Sequence, residues 1–224
     1  MTDRPLALIT GASRGIGAAV ARALADTHDL LLGGRDSAAL AAVAADLPSA
    51  RPWPVELTDY AAVGESLGGV DRLDVLVHSA GISRLGALAE VTAADWRDSF
   101  EINVVAVAEL TRMLLPALHA ASGHVVLINS GSGIKANPQW GPYAASKFAL
   151  RAYSDVLRAE EPTLRVTSIH PGRTVTDMQR AVRAFEGGEF EPSKYMDPNS
   201  VAAMIQAAIA TPPDAHVHEV IIRP

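Results

Sequence analysis

Residues 5–17, PLALITGASRGIG, decide the fold because they place three glycines between an apolar run and the start of a helical pattern. The run from Pro5 to Thr10 is typical of a buried strand, and the helical pattern extends from Gly15 to about Asp26. Glycines in such a turn permit a tight bend, let the backbone approach a pyrophosphate, and present the amides and positive dipole end of the helix. The stretch predicts a phosphate cradle, although a turn without a ligand also fits this spacing alone.

The rest of the chain alternates apolar runs with helical patterns. Further strands are predicted at residues 30–32, 53–57, 73–78, 124–129, 164–170 and 217–222. Helices are predicted at residues 37–47 with Ser37 as the cap, at 59–67, at 92–119 with a kink or break at Pro116, at 141–157 and at 201–210. Continuous apolar strands between helices predict an α/β fold, a single Rossmann-type domain over residues 1–224 with a doubly wound parallel sheet of about seven strands and helices on both faces.

The segment 178–199 interrupts this alternation. It contains Gly187 and Gly188 among charged and aromatic residues, and no strong period is visible. Long irregular inserts in compact domains are usually functional. We therefore predict a mobile flap over the site, which in a parallel sheet forms at the carboxyl ends of the strands.

A second informative stretch is GPYAASKFALRAYSDVL, residues 141–157. In a helix, the four-residue step puts Tyr143 and Lys147 on one face, where a positive charge should lower the pKa of the phenol and make it a usable acid. The repeat Ala144, Phe148, Ala152 and Val156 predicts a buried stripe. The alternative is that the tyrosine and lysine are ordinary half-exposed helix residues.

Taken together, these motifs make the chain resemble the short-chain dehydrogenases/reductases. The family's T-G-x-x-x-G-I-G turn is matched in full by residues 10–17, and its Y-x-x-x-K by residues 143–147. Ser130 lies thirteen residues before Tyr143, the usual interval for the family's serine, with Ser132 as the nearest competitor. The resemblance implies four catalytic residues: Ser130, Tyr143, Lys147 and Asn103.

The resemblance also implies a dinucleotide site. Its P-G-x-x-x-T motif, which lies beside the nicotinamide carboxamide in the family, is matched by residues 171–176. The cofactor-binding residues implied are Thr10, Gly11, Ser13, Arg14, Gly15, Ile16, Gly17, Arg35, Glu56, Leu57, Ser79, Ala80, Gly81, Tyr143, Lys147, Pro171, Gly172, Thr174 and Thr176. Two positions depart from the family's pattern: its N-N-A-G is His78-Ser79-Ala80-Gly81 here, and the residue expected at adenine is Glu56, where aspartate is common.

Charge near the second strand indicates which cofactor binds. An acidic side chain there recognises the ribose of NAD, whereas a 2′-phosphate needs a cation. Arg14 and Arg35 favour NADP(H), because a guanidinium matches phosphate oxygens with a planar fork. Asp36 argues the other way. We therefore predict NADP(H) as the preferred cofactor, with NAD(H) possible.

By the resemblance, the expected reaction interconverts a ketone or aldehyde and an alcohol by hydride transfer, with Tyr143 as acid and base. Lys147 would hold the nicotinamide ribose, Ser130 would bind the reacting oxygen, and Asn103 would anchor a proton-relay water. An apolar pocket is predicted for this small-molecule carbonyl or alcohol substrate, although the same residues could be core or oligomer contacts. The pocket residues chosen are Ser83, Ile134, Trp140, Met178 and Phe185. The alternative function is a non-catalytic dinucleotide-sensing module of the same fold.

The composition of the chain limits the classes of binding partner that we expect. Hydrophobic residues at 49% and charged residues at 20% indicate a globular protein, and a net charge of −6 with interspersed signs offers no basic stripe for nucleic acid. The N-terminal sequence MTDRPLALIT has an apolar run too short for a signal or membrane span. The absence of cysteine excludes disulfides and thiolate chemistry and agrees with a reducing cytoplasm. We expect a cytoplasmic protein with no nucleic-acid or membrane partner.

The histidines and the long helices give the last three expectations. His216 and His218 would face one side of the last strand, but no third ligand is near in sequence, so we predict no metal site. His170 is expected to pack against the sheet. Helices 92–119 and 143–161 resemble those through which the family forms dimers and tetramers, which implies a homodimer or homotetramer.

Overall fold

A seven-stranded parallel sheet forms the centre of the computed structural model, which describes residues 4–224. The strands are β1 (Leu6–Thr10), β2 (Asp29–Gly34), β3 (Ala50–Pro54), β4 (Val75–His78), β5 (His124–Ile128), β6 (Arg165–Pro171) and β7 (Glu219–Ile222). Their order is β3-β2-β1-β4-β5-β6-β7, and every pairing is parallel. The predicted fold class is confirmed. Residues 1–3 of the N-terminal stretch discussed above lie outside the described residues.

Helices cover both faces of the sheet. They are α1 (Gly15–Leu24), α2 (Ser37–Ala45), α3 (Tyr60–Ser66), α4 (Ala93–Phe100), α5 (Ala106–Ala121), α6 (Gly141–Glu160), α7 (Asp177–Phe185) and α8 (Pro198–Ala210). Side chains alternate across each strand, so Val75 and Val77 of β4 pack in the core that includes α1, α2 and α8. Leu76 packs in the opposite core with α3, α5 and α6.

A break at Pro116 is not found, because α5 continues through this proline, whereas a kink there stays a prediction. The helical run 93–121 is instead interrupted by a π-helical turn at Glu101–Val105. Such turns insert an extra residue and occur often at functional sites. By length and composition this run resembles a membrane span, but Leu110, Leu114 and Leu118 are buried against the sheet, as in the core helix of a globular protein.

Two boundaries near the second and third strands also differ. The third strand is Ala50–Pro54 rather than 53–57. It tolerates two prolines because it lies at the sheet edge and pairs only with β2. Helix α2 is capped by Asp36, whose carboxylate accepts a hydrogen bond from the Ala39 amide at 3.0 Å, and not by Ser37.

The stripe predicted on α6 was wrong as well. Ala144 is buried, but Phe148 and Val156 are 42% and 52% exposed. A strict four-residue repeat drifts by about 40° per step around a helix of 3.6 residues per turn, so it leaves the buried face after one turn. The buried residues instead include a series with alternating steps of four and three: Tyr143, Lys147, Leu150, Ser154 and Leu157.

The segment 178–199 is more regular than predicted. Helix α7 begins at Asp177, is capped by the hydroxyl of Thr176, and buries Gln179 and Val182. A short 3₁₀ turn follows at Pro192–Lys194. The mobility of this segment stays a prediction, but its first half is a helix that forms one wall of the cleft described below.

Candidate active site

A cleft of about 1340 Å³ opens at the carboxyl ends of the strands. It lies beside the junction of β1 and β4. The strand order reverses at this junction, because β2 and β3 lie on one side of β1 and the later strands lie on the other. Such a reversal is the usual place for a ligand in a parallel sheet. The predicted site residues that line it are Gly11, Ser13, Arg14, Gly15, Ile16, Arg35, Glu56, Leu57, Ser79, Ala80, Gly81, Ser130, Tyr143, Lys147, Pro171, Gly172, Thr174 and Thr176. Thr10, Gly17 and Asn103 are buried behind this surface.

The glycine turn between β1 and α1 is shaped for close backbone approach. Gly11 and Gly15 have φ angles of +65° and +57°, which side chains disfavour. A Cβ atom on Gly17 would lie 2.3 Å from the Gly11 carbonyl oxygen. Thr10 supports the turn, because its hydroxyl accepts hydrogen bonds from the amides of Ser79 and Ala80, both at 3.1 Å.

Helix α1 begins without a side-chain cap. Helices α2, α3, α4, α7 and α8 are each capped by an aspartate or threonine side chain. The first-turn amides of α1 therefore face the cleft with no side-chain acceptor. An uncapped helix start beside a glycine turn has the donors and the positive dipole end that a pyrophosphate needs, so the residues present fit a dinucleotide.

Two arginines line the cleft, Arg35 directly after β2 and Arg14 in the glycine turn. The Arg35 guanidinium is 3.7 Å from Glu56, and the Arg14 guanidinium is 3.6 Å from Asp177. Both arginine side chains are 73% exposed and can reorient toward a ligand. The carboxylate of Asp36 is engaged as the cap of α2, so it offers weaker competition for the ribose than the sequence indicated.

Tyr143 and Lys147 lie together on the buried face of α6. The ammonium nitrogen of Lys147 is 5.9 Å from the centroid of the Tyr143 ring and donates a hydrogen bond to the Ile128 carbonyl at 2.9 Å. The side chain of Ser130 is hydrogen-bonded to Tyr143. Ser132, the competing serine, instead donates its amide to the Ser130 hydroxyl at 3.0 Å. The geometry therefore brings Ser130, Tyr143 and Lys147 together.

Burial has the largest effect on the pKa values of Tyr143 and Lys147. It raises the pKa of Tyr143, and the hydrogen bond with Ser130 lowers that pKa only in part. It also lowers the pKa of Lys147 to about 8. The prediction that the ammonium would lower the tyrosine pKa is contradicted, because both groups are desolvated and the lysine's hydrogen-bond partner is a neutral carbonyl.

Asn103 lies in the π-helical turn and connects three segments. Its side-chain oxygen accepts from the Ile82 amide at 3.0 Å, and its side-chain nitrogen donates to the Ile82 carbonyl and to the Ser146 hydroxyl, at 3.0 and 2.9 Å. Ser146 in turn donates to the Tyr143 carbonyl at 2.8 Å. The side chain thus holds the loop after β4 against α6, and its predicted role at a relay water stays a prediction.

Three of the five predicted pocket residues line the cleft: Ser83, Trp140 and Met178. Ile134 and Phe185 do not, because the first follows the 3₁₀ turn after Ser130 and the second ends α7 with 44% of its surface exposed. The sequence analysis missed several polar lining residues, which carry no motif: Arg84, Asp98, Lys135, Asn137, Gln179 and Arg223.

Comparison with known proteins decides the family. The sequence profile described as short chain dehydrogenase matches residues 5–187. The chain belongs to the short-chain dehydrogenase family. This short-chain dehydrogenase is 31% identical over 246 residues to mouse (Mus musculus) dehydrogenase/reductase SDR family member 11, covering 98% of this chain and 94% of that protein.

A second relative is much longer. The chain is 33% identical over 240 residues to the glycine betaine reductase ATRR of Emericella nidulans, covering 98% of this chain but only 18% of that protein. Among solved structures, an alcohol dehydrogenase from the archaeon Thermococcus sibiricus complexed with 5-hydroxy-NADP has a TM-score of 0.89 and 27% identity, covering 98% of this chain and 96% of that one. A metagenomic short-chain oxidoreductase in complex with NADP has a TM-score of 0.84 and 28% identity, with the same coverages of 98% and 96%.

The histidines of this short-chain dehydrogenase are structural in their contacts. His78, where the family has asparagine, is buried with its Nε2 2.9 Å from the Thr111 hydroxyl, and burial lowers its pKa to about 3. His170 is fully buried, and its Nδ1 lies 3.2 Å from the Ser130 carbonyl oxygen. The rings of His216 and His218 contact each other edge-on at 4.6 Å. Among residues 4–224, no group of three potential metal-binding side chains is close enough to hold an ion.

Proposed function

We propose that this short-chain dehydrogenase is an NADP(H)-dependent oxidoreductase that interconverts a ketone or aldehyde and an alcohol, with Tyr143 as the proton donor and acceptor. One observation carries the proposal. The Tyr143 hydroxyl, hydrogen-bonded to Ser130, lies on the wall of the same cleft that contains the uncapped start of α1. A site that only senses a dinucleotide needs the second feature and not the first.

The roles follow from the chemistry of each group. When bound, a reduced nicotinamide supplies the hydride that goes to the carbonyl carbon, since no side chain can. Tyr143 gives its proton to the carbonyl oxygen, and burial keeps the phenol protonated at neutral pH for this purpose. Ser130 donates a hydrogen bond to the oxygen as negative charge develops on it. The Lys147 ammonium offsets the charge left on the phenolate, which regains a proton from solvent. Oxidation of an alcohol reverses these transfers.

Tyr143→Phe tests the acid. We expect turnover of carbonyl compounds with NADPH to fall by roughly 10²- to 10⁴-fold, the range of general acid catalysis, while NADPH affinity changes little. Tyr153→Phe is the matched control, because Tyr153 lies on the same helix but outside the cleft. Activity in Tyr143→Phe equal to that of wild type would exclude the proposed role. Loss of NADPH binding would instead indicate a structural tyrosine.

The preference for NADP(H) is supported by Arg14 and Arg35 at the cleft and by the engagement of Asp36 as a helix cap. Two related structures also contain NADP or a derivative of it. We expect Arg35→Gln to weaken NADPH binding by roughly tenfold or more, as loss of a charge-assisted hydrogen bond does. NADH binding should change little. Fluorescence titration measures both, and wild-type protein that binds NADH as tightly as NADPH would contradict the proposal.

A homodimer or homotetramer is supported by apolar residues exposed on α6 and on the π-helical turn that packs against it. Val105, Phe148 and Val156 are 39%, 42% and 52% exposed. Contiguous exposed apolar patches mark interaction sites, and we propose that these three side chains contribute to one. We expect light scattering to give an oligomer mass for wild type and a smaller mass for Phe148→Glu. Met204→Glu is the control, since Met204 is equally exposed on α8, across the sheet. A wild-type monomer would remove this proposal.

A further inference from the structure

The five arginines that line the cleft differ in one respect, namely whether each has a carboxylate partner. Arg223 has no carboxylate partner within residues 4–224. Four other arginines that line the cleft each lie within 4.0 Å of a carboxylate: Arg14 with Asp177, Arg35 with Glu56, Arg84 with Asp98, and Arg173 with Glu186. An arginine left unneutralised in a ligand cleft is a candidate for binding an anion.

The side chain of Arg223 is held in place beside the catalytic serine. It follows β7 and passes over Gly172, where its Cδ is 3.2 Å from the position a Cβ would take. Both terminal nitrogens lie 3.1 Å from the Cβ position of Gly131, the residue after Ser130. Nη1 donates a hydrogen bond to the His170 carbonyl at 3.0 Å. These contacts place the guanidinium of this solvent-exposed residue at the Ser130 end of the cleft.

Part of the guanidinium remains free for a ligand. Its hydrogen bonds, to the carbonyls of His170 and Ile222, both use Nη1. Across the described part of the chain, Nη2 and Nε have no partner. Two carboxylates that also line the cleft are already engaged, since Asp98 pairs with Arg84 and Glu101 accepts a hydrogen bond from the Tyr60 hydroxyl. Neither competes for Arg223.

The sheet separates this cation from the proposed cofactor cations. Arg35 follows β2 and Arg223 follows β7, and these strands are five steps apart in the sheet order. At about 4.8 Å per step this distance is roughly 24 Å across the sheet. Arg223 therefore lies too far from Arg35 to share a 2′-phosphate with it, and it lies next to the residue proposed to bind the reacting oxygen.

We infer that Arg223 binds a carboxylate carried by the substrate, so that the preferred substrates are oxo acids, or hydroxy acids in the reverse direction. This inference rests on the proposed function, because it describes what the carbonyl compound carries besides its carbonyl group. A guanidinium presents two parallel donors to a carboxylate, which fixes orientation as well as adding affinity. The carbonyl next to Ser130 and Tyr143 would thereby be held at a defined end of the molecule.

Steady-state kinetics on matched pairs tests the inference. Each of a series of 2-, 3- and 4-oxo acids is compared with its own methyl ester, which keeps the carbon skeleton and the carbonyl but removes the charge. With saturating NADPH, we expect at least one acid to exceed its ester in kcat/KM by tenfold or more. In Arg223→Gln, KM for that acid should rise by roughly 10- to 100-fold, the loss expected for a hydrogen bond between charged groups, while KM for the ester stays the same.

Two further variants control for charge and folding. Arg51→Gln makes the same change of net charge at an exposed residue of β3 outside the cleft, and should behave as wild type. Arg223→Lys keeps the charge but loses the planar fork, so its KM for the acid should be intermediate. If Arg223→Gln is poorly folded by its melting temperature, Arg223→Lys provides the same acid-to-ester comparison.

The outcomes separate the two proposals. Equal use of acids and esters by wild type, or an unchanged acid-to-ester ratio in Arg223→Gln, overturns the carboxylate site while carbonyl reduction stands. If no acid or ester is reduced, ketones and aldehydes without a carboxylate are assayed with NADPH, and the proposed function fails only if none of these is reduced either. Calorimetric binding of the acids to wild type and Arg223→Gln then decides the carboxylate site, which equal affinities overturn.

Discussion

Adding one methyl group at Gly17 tests whether the glycine turn is a binding cradle. In Gly17→Ala the new Cβ would lie 2.3 Å from the Gly11 carbonyl oxygen, 2.7 Å from its carbon and 3.1 Å from the Ala12 Cα. Carbon atoms in contact are about 3.5–4.0 Å apart. The turn must therefore move by about 1 Å, and all three atoms belong to the backbone rather than to a flexible side chain.

The magnitude follows from two opposing contributions. Overpacking of this kind costs about 1–3 kcal/mol, whereas replacing a helical glycine with alanine stabilises a helix by about 0.5–1 kcal/mol. A net loss of about 1–2 kcal/mol lowers the melting temperature of a chain this size by roughly 2–8 °C. Because the displaced amides would no longer point at the ligand together, NADPH affinity should fall by roughly tenfold or more.

The matched control is Gly64→Ala. Gly64 is also helical, is exposed in α3, and a Cβ there would meet nothing within 4 Å. It should raise the melting temperature by roughly 1–4 °C through helix propensity alone and leave NADPH binding unchanged. Thermal unfolding and fluorescence titration measure both quantities. If Gly17→Ala binds NADPH as tightly as wild type and melts at the same temperature, the close packing of the turn is not what shapes the site.

Two further predictions concern pH. Burial lowers the pKa of His78 and of His124 to about 3, so the unfolded chain takes up more protons than the folded chain as pH falls below about 6.5. The free energy of unfolding should then decrease by about 1.4 kcal/mol per pH unit for each histidine. Urea unfolding midpoints at pH 7 and pH 5 measure this decrease. The decrease should be smaller in His78→Asn than in wild type. The pKa of Lys147 is lowered to about 8, so the cost of its buried charge is present in full below pH 8 and disappears as pH rises toward 10.5. Lys147→Met should therefore have a higher melting temperature than wild type at pH 7, and the difference should be smaller at pH 10. An equal difference at both pH values would show that the buried charge of Lys147 does not destabilise the fold.

The sequence predicted the elements whose signals are local. The turn at Gly11, the apolar run of β4 and the tyrosine–lysine pair on α6 each have a recognisable pattern over a few residues, and the structure places the turn and the pair at one cleft. The parallel sheet also follows from local patterns, because continuous apolar strands between helices can only be covered on both faces.

The sequence alone could not predict features that depend on packing between distant segments. The repeat through Phe148 and Val156 looks buried in sequence, and only the drift of a four-residue repeat around the helix shows why it is exposed. The π-helical turn at Asn103 inserts one residue to meet Ile82, which carries no motif. Arg223 reaches the site only because β7 ends beside Gly172 and Gly131, far away in sequence.

The stability of this chain and its proposed chemistry make opposite demands on the cleft. Left-handed glycines, an uncapped helix start, a π-helical turn and a buried ammonium each cost free energy. Five other helices are capped by side chains, and both cores are filled mainly with Leu, Val, Ile and Ala. Elsewhere, therefore, the sequence favours stability. Positive φ angles also occur elsewhere, at Ser122 and Gly187, but the four features named above lie together around the cleft, where the proposed ligand and reaction would use them.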